Sequence, residues 1–190
     1  MTQLKNSNNL YVVTGGPAVG KTTLLEELQK RGYQIVPEIA RALIKEQQMA
    51  NGDALPWKNK QLYLELMFER SIESFSHIAN KENNQAPIFF DRGFLDAICY
   101  AQLIHSELSE EMISYAKNWR YNNSVFLLPP WRDIYETDKE RKQSFEEAVL
   151  TYEKMTETYT HYGYNLTILP KMPVKNRADF VLRFIEETRF

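Results

Sequence analysis

The sequence has almost no cysteine and no long apolar run. Cys99 is the only cysteine among 190 residues, which excludes an intrachain disulfide and favours a reducing compartment. No apolar run reaches the roughly 20 residues that a transmembrane helix needs. Residues 1–9 are polar and lack the apolar core of a signal peptide. These absences predict a cytoplasmic protein that does not cross a membrane.

An excess of charge of one sign is also missing. The chain has 23 basic and 25 acidic side chains, for a net charge of −2, which argues against an extended nucleic-acid-binding surface. With 43% hydrophobic and 25% charged residues, the composition is ordinary for a globular protein. The length suits one domain over residues 1–190, and we see no linker or internal repeat. The oligomeric state stays open.

Glycine is sparse, yet three of the seven glycines fall within residues 15–20. The surrounding segment, residues 14–23, reads TGGPAVGKTT and matches the phosphate-binding pattern GxxxxGK[ST]. Glycines let the backbone turn tightly and point its N–H groups at a phosphate, the lysine supplies a positive charge, and the threonine after it can coordinate Mg²⁺. A glycine-rich turn that binds nothing has no need of the Lys-Thr pair. We therefore predict an ATP-binding loop made of Gly15, Gly16, Pro17, Ala18, Val19, Gly20, Lys21, Thr22 and Thr23.

Short apolar runs alternate with helical segments along the whole chain. The alternation predicts an α/β fold with a mostly parallel sheet that has helices on both faces. Strands are predicted over residues 10–13, 33–37, 87–91, 124–128 and 166–169. Helices are predicted from Leu24 to Gly32, from Glu38 to about Asn51, and over 57–82, 94–105, 110–119, 144–162 and 177–189.

Polar residues follow several of these strands, where open α/β sheets bind their ligands. Asp91 ends one strand and is either a Mg²⁺-binding acid or the N-cap of the next helix. Arg92 is either a bidentate substrate clamp or an ion-pair partner at the surface. Glu38 either accepts a proton from a phosphoryl acceptor or simply favours the first turn of a helix. Each alternative is open at this stage.

Other charged residues are candidates for binding anionic groups. Arg41 and Arg70 could hold an acceptor, although a solvated helix face explains them equally well. Residues of about 131–144 are dense in charge and suggest a lid, in which Arg132 or Arg141 would neutralise a transferring phosphoryl group. The alternative is an exposed charged loop.

Several motifs together resemble a known family. They are TGGPAVGKTT at residues 14–23, VPEIAR at 36–41, FFDRG at 89–93, VFLLPPW at 125–131 and YETDKERKQSFEEA at 135–148. In this order the motifs are similar to the small bacterial AAA-type predicted ATPases that are grouped with the nicotinamide-riboside kinase domain of NadR. The resemblance implies a three-layer P-loop fold of the nucleoside- or nucleotide-kinase type. That fold has a five-stranded parallel sheet with the P-loop strand at its centre.

We therefore expect a phosphotransferase that uses ATP and Mg²⁺ to modify a small, nucleoside-like hydroxyl acceptor. An adenine pocket is expected around residues 171–173, and no guanine-reading motif is evident. The alternative is a nucleotide-binding ATPase or regulatory switch that has no small-molecule acceptor. Thr22 and Asp91 are the expected metal ligands. The expected catalytic residues are Lys21, Glu38, Asp91, Arg92 and Arg141.

Overall fold

The fold is known from a computed structural model that describes residues 5–81, 86–135 and 144–188. Its strands are β1 (Lys5–Asn6), β2 (Leu10–Gly15), β3 (Gln34–Val36), β4 (Ile88–Asp91), β5 (Trp119–Arg120), β6 (Ser124–Leu128) and β7 (Asn165–Ile168). Its α-helices are α1 (Lys21–Lys30), α2 (Ile39–Met49), α3 (Lys60–Asn80), α4 (Phe94–Leu103), α5 (Glu110–Asn118), α6 (Phe145–His161) and α7 (Val174–Thr188). Strands and helices alternate along the chain as the apolar pattern predicts.

The main sheet has five parallel strands in the order β3-β4-β2-β6-β7. Strand β2 lies at the centre, where Val12 pairs with Phe90 on one side and with Val125 on the other. Strand β2 leads into the predicted ATP-binding loop of residues 15–23, which we call the P-loop. The expected sheet, with the P-loop strand in the middle, is therefore confirmed. Because all five strands are parallel, the segments that follow them meet at one edge of the sheet.

The sheet separates two apolar layers. Leu10 and Val12 pack toward α3, α4 and α5, whereas Tyr11 and Val13 pack toward α1 and α7. Successive residues of a strand face opposite sides, which is why one strand serves both layers. The continuous apolar sequence of β2 is therefore typical of a central strand that is covered on both faces.

Several helix boundaries differ from the expected ones. Helix α3 begins at Lys60 and not at residue 57, because the Asn59 side chain caps it by accepting a hydrogen bond from the Leu62 amide at 3.0 Å. Helix α7 begins at Val174, directly after Pro173, and not at Arg177. The pair β1–β5 was not expected, since two residues per strand are too few to show a pattern. Among the described residues, no helix is long and apolar enough to cross a membrane.

Phe75 on α3 lies at the centre of an aromatic cluster and is fully buried. Its ring contacts Tyr121 and Phe94 edge-on, with centroid distances of 4.8 and 5.7 Å. We expect Phe75→Ala to lower the free energy of unfolding by about 3–5 kcal/mol, because removal of the ring leaves a cavity in a packed core. Urea denaturation measures the loss. Trp57→Ala is the control, since this ring is 60% exposed and should cost less than about 0.5 kcal/mol.

Candidate active site

The loop between β2 and α1 has the backbone conformation that its glycines permit. Gly20 adopts a left-handed conformation, with φ of 81°, at the N-cap of α1. A Cβ on Gly15 would lie 2.7 Å from the carbonyl oxygen of Leu128 on the neighbouring strand. The loop can therefore pass close to β6 only because Gly15 has no side chain. The N-terminal end of α1, which attracts anions, opens directly beyond this loop.

Lys21 is the first residue of α1, and its side chain folds back over the loop. Its Nζ lies 3.5 Å from the carbonyl oxygen of Gly16, and the residue is only 9% exposed. Burial, assisted by the positive charge of Arg92, lowers the pKa of Lys21 to about 8, although nearby carboxylates oppose the shift. The following Thr22 is exposed at the mouth of the loop. The ammonium group is therefore held where a polyphosphate would replace its lost hydration.

Asp91 ends β4 and pairs in register with Val13 of the P-loop strand. Its Oδ1 is buried and has no hydrogen-bond partner among the described residues. Burial raises the pKa of Asp91, and the charge of Lys21 opposes the shift. Helix α4 has Gly93 at its N-cap, so the alternative of Asp91 as that cap is not what the structure shows. A buried oxygen without a partner beside the P-loop fits a ligand for Mg²⁺, which is usually bound by one or two carboxylates and the phosphates.

Arg92 lies between two carboxylates. Its Nε donates to Oε1 of Glu38 at 2.8 Å, and its Nη1 donates to Oδ1 of Asp96 at 3.0 Å. Burial disfavours the charge, but the two carboxylates outweigh burial and raise the pKa of Arg92 above its usual value. The backbone of Arg92 is left-handed, with φ of 70°, which is uncommon for a residue with a side chain and marks a constrained position.

Glu38 lies just after β3, and its carboxylate forms ion pairs with two arginines. Besides Arg92, the Nε of Arg41 lies 3.3 Å from its Oε2. Burial by itself would raise the pKa of Glu38, but Arg92, Lys21 and Arg41 together hold the pKa below its usual value. Although Glu38 is the N-cap residue of α2, its side chain makes no capping hydrogen bond. The carboxylate is therefore ionised at neutral pH and directed toward Arg92.

Asp96 was missed in the sequence. It lies within the apolar stretch FLDAIC, and its carboxylate receives hydrogen bonds from Thr14, Arg92, Gly93 and Tyr159. Two signals could have found it: an acid alone on an apolar helix, and its position four residues after Arg92. Tyr159 gave no such signal, because it reaches Asp96 from a helix 63 positions later in the chain.

The remaining candidates lie elsewhere or are not described. Arg70 is bound by Glu46 through two hydrogen bonds of 2.6 and 2.7 Å, and so does not reach the P-loop. Arg132 is exposed, and its Nη2 lies 3.8 Å from Oε1 of Glu146. Arg141 and most of the expected lid fall in residues 136–143, outside the described residues.

Arg177 was also missed as a site residue. Its Nη1 donates to the carbonyl oxygens of Val19 and Gly20 in the P-loop, each at 3.4 Å. Its guanidinium lies 5.7 Å from the ring centroid of Trp131. Both residues line a cavity of about 10 Å³ that also touches Lys171, where the adenine was expected. The space is too small for a base in this conformation, so a base could enter only after the side chains move.

The sheet order, the loop with the GxxxxGK[ST] pattern and the residues at the strand ends define a P-loop fold of the kinase type. The deoxyadenosine kinase from M. mycoides with bound dATP matches with a TM-score of 0.56 and 17% identity, over 93% of this chain and 98% of that chain. Thymidylate kinase from Candida albicans matches with a TM-score of 0.61 and 14% identity, over 99% and 94% of the two chains. The NadR protein in complex with NR matches with a TM-score of 0.66 and 18% identity, over 95% of this chain and 51% of that chain. At these identities the likeness shows the fold.

The sequence itself identifies the family. The family described as AAA domain matches residues 10–177, which is most of the chain. The protein therefore belongs to the AAA domain family, as the resemblance implies. A comparison with curated proteins finds no significant match.

Proposed function

We propose that the protein is a phosphotransferase that uses ATP and Mg²⁺ to phosphorylate a small hydroxyl acceptor in the cytoplasm. The observation that carries the proposal is the grouping of Lys21, Glu38, Asp91 and Arg92 around one P-loop. A loop that only holds a nucleotide needs the lysine and the metal ligands. It has no need of a mostly buried glutamate that forms ion pairs with two arginines.

Each residue of the group has a role that suits its surroundings. Lys21 holds the β- and γ-phosphates, and Thr22 with Asp91 would hold Mg²⁺, which neutralises phosphate charge when it is bound. Arg92 orients the acceptor hydroxyl toward Glu38. The acceptor oxygen bonds to the γ-phosphorus while the bond between the γ-phosphorus and the β,γ-bridging oxygen breaks and ADP leaves, and Glu38 accepts the proton of the acceptor hydroxyl. A lowered pKa does not exclude this role, because a loose phosphoryl-transfer transition state demands little basicity from the protein.

The charges of the described residues favour an acceptor without a phosphate. Arg92 and Arg41 are both paired with Glu38, and Arg70 is paired with Glu46. A phosphate on the acceptor would need a guanidinium or ammonium that is not already committed. The pairings of these three arginines therefore support a neutral or cationic acceptor such as a nucleoside.

The adenine is proposed to lie near Lys171, between the connection after β7 and Trp131. The aromatic face of Trp131 can stack on a base. Arg177 can make way for the base, because its hydrogen bonds to the two loop carbonyl oxygens are long. Tryptophan fluorescence would follow this displacement when ATP is added.

The test is ATP turnover with a panel of possible acceptors. The panel contains nucleosides, deoxynucleosides, nicotinamide riboside and the corresponding monophosphates, each measured with and without Mg²⁺. We expect one unphosphorylated compound to stimulate turnover and to emerge phosphorylated, while its monophosphate does not. Turnover that no compound stimulates would contradict the kinase proposal and favour an ATPase or a regulatory switch.

A further inference from the structure

The Asp96 carboxylate joins three parts of the fold. Its Oδ1 accepts hydrogen bonds from Oγ1 of Thr14 at 2.6 Å and from Nη1 of Arg92 at 3.0 Å. Its Oδ2 accepts from the hydroxyl of Tyr159 at 2.6 Å and from the amide of Gly93 at 2.9 Å. Asp96 is 8% exposed, so these four donors replace the water that the charge has lost.

Arg92 is held by two carboxylates, those of Asp96 and Glu38. The side chain of Asp96 is 7% exposed and that of Glu38 is 13% exposed, while the side chain of Arg92, between them, is 20% exposed. The ion pair between Asp96 and Arg92 is hydrogen-bonded to the P-loop strand through Thr14, and to α6 through Tyr159. Asp96 is therefore fixed by several parts of the fold, whereas Glu38 is the carboxylate to which the proposed function assigns the acceptor.

We propose that Asp96 is a positioning residue, which anchors Arg92 so that its guanidinium orients both Glu38 and the acceptor hydroxyl. The inference rests on the proposed function. Without the Asp96 carboxylate, Arg92 would still pair with Glu38, and its guanidinium would turn fully toward Glu38. The acceptor would then have to compete with Arg92 for the glutamate. Asp96 itself does not touch the acceptor or the phosphates.

The test compares Asp96→Asn with Tyr159→Phe. The asparagine side chain has nearly the same shape as aspartate but lacks the charge that anchors Arg92. The phenylalanine variant loses one donor to Asp96 and leaves the ion pair with Arg92 intact. We expect Asp96→Asn to raise KM for the acceptor about 10-fold and to lower kcat/KM about 100-fold, since the hydrogen bond from Arg92 then goes to a neutral oxygen and loses the attraction between opposite charges. KM for ATP should stay within about twofold, because Lys21 is not among the four hydrogen-bond donors to Asp96 described above.

Tyr159→Phe separates positioning from stability. Thermal unfolding should show that both variants are less stable than the wild type, because each disturbs a buried hydrogen-bond network. The acceptor KM of Tyr159→Phe should nevertheless stay within about twofold of the wild type. A role of Asp96 in stability alone would give the two variants the same kinetics, and that result would overturn the inference. An equal rise in both KM values of Asp96→Asn would also overturn it, because Asp96 would then act through Thr14 and the P-loop.

A second variant covers the case in which Asp96→Asn fails to fold. Arg92→Lys keeps the positive charge, but an ammonium cannot bridge two carboxylates as a planar guanidinium does. It should raise the acceptor KM about 10-fold, and wild-type kinetics would overturn the inference. Wild-type protein is assayed first on the acceptor panel. A wild type that phosphorylates nothing overturns the proposed function, whereas an active wild type with unaffected variants overturns only the role of Asp96.

Discussion

Lys21→Met is expected to lower nucleotide-dependent turnover about 100- to 1000-fold and, at the same time, to stabilise the ligand-free protein. The loss of turnover follows from the proposed function, in which the Lys21 ammonium, lying over the P-loop, would stabilise the transferring phosphoryl group. Methionine keeps the length of the side chain and leaves the loop glycines unchanged. Steady-state kinetics with the identified acceptor measures the first effect, and urea denaturation without nucleotide measures the second.

The stabilisation follows from the burial of the charge. The pKa of Lys21 is about 8 in the folded protein and 10.5 in the unfolded chain, so keeping the ammonium charged in the fold costs roughly 3 kcal/mol at neutral pH. This cost is fully present below about pH 8 and is lost as the pH rises toward 10.5, where the unfolded chain also releases its proton. The wild type should therefore become more stable over this range relative to Lys21→Met. The difference in the free energy of unfolding that this charge causes between the wild type and Lys21→Met should disappear by about pH 10.5.

The control is Lys30→Met, at the exposed end of the same helix. It should leave turnover within about twofold and stability within about 0.5 kcal/mol of the wild type. If Lys21→Met were less stable than the wild type, the Lys21 ammonium would stabilise the ligand-free fold, which would contradict the prediction. If turnover were unchanged, the loop would not hold the reacting nucleotide.

The sequence predicted the parts of the site that depend on neighbouring residues. The P-loop, the strands on either side of it and Asp91 at the end of β4 all follow from short local patterns, because apolar runs mark strands and glycines mark turns. The sheet then brings the ends of its strands together. The resemblance added the strand order, which alternation by itself does not give.

The sequence could not choose among the arginines. Arg41, Arg70 and Arg92 all lie near acids in the chain, and their pairing depends on which helices pack together. Arg92 meets Glu38 from 54 positions away, and Arg70 meets Glu46 across the contact between α2 and α3. Arg177 reaches the P-loop from a helix 157 positions after Gly20. Such contacts are set by tertiary packing, which local pattern does not encode.

Glu38→Gln is the second variant with a large expected effect. The glutamine side chain keeps an oxygen for Arg92 but cannot accept a proton, so we expect kcat to fall about 100- to 10,000-fold if Glu38 is the general base. KM for ATP should change little, because Glu38 forms its ion pairs with Arg41 and Arg92 and not with Lys21, the proposed phosphate-binding residue. Steady-state kinetics with the identified acceptor measures kcat and the KM for ATP, and thermal unfolding verifies that the variant is folded.

The pH dependence has a definite direction. Only the ionised form of Glu38 can accept a proton, and Arg92, Lys21 and Arg41 hold its pKa below the usual value of 4.5. Protonation of Glu38 should therefore not limit the wild type at neutral pH. The rate should fall only as the pH drops below 4.5 and through the pKa of the folded protein. Glu38→Gln should not show this acid limb, because it has no carboxylate at this position.

Glu46→Gln is the matched control for Glu38→Gln, since both carboxylates are on or beside α2 and each binds an arginine. Glu46 is 53% exposed at its side chain and pairs with Arg70, away from the P-loop. An exposed pair contributes little, so kcat should stay within about twofold of the wild type. A Glu38→Gln variant with normal kcat and a raised acceptor KM would show that Glu38 binds the acceptor hydroxyl without taking its proton. The proton would then leave by way of the phosphate oxygens, and the carboxylate would serve to hold the acceptor in line.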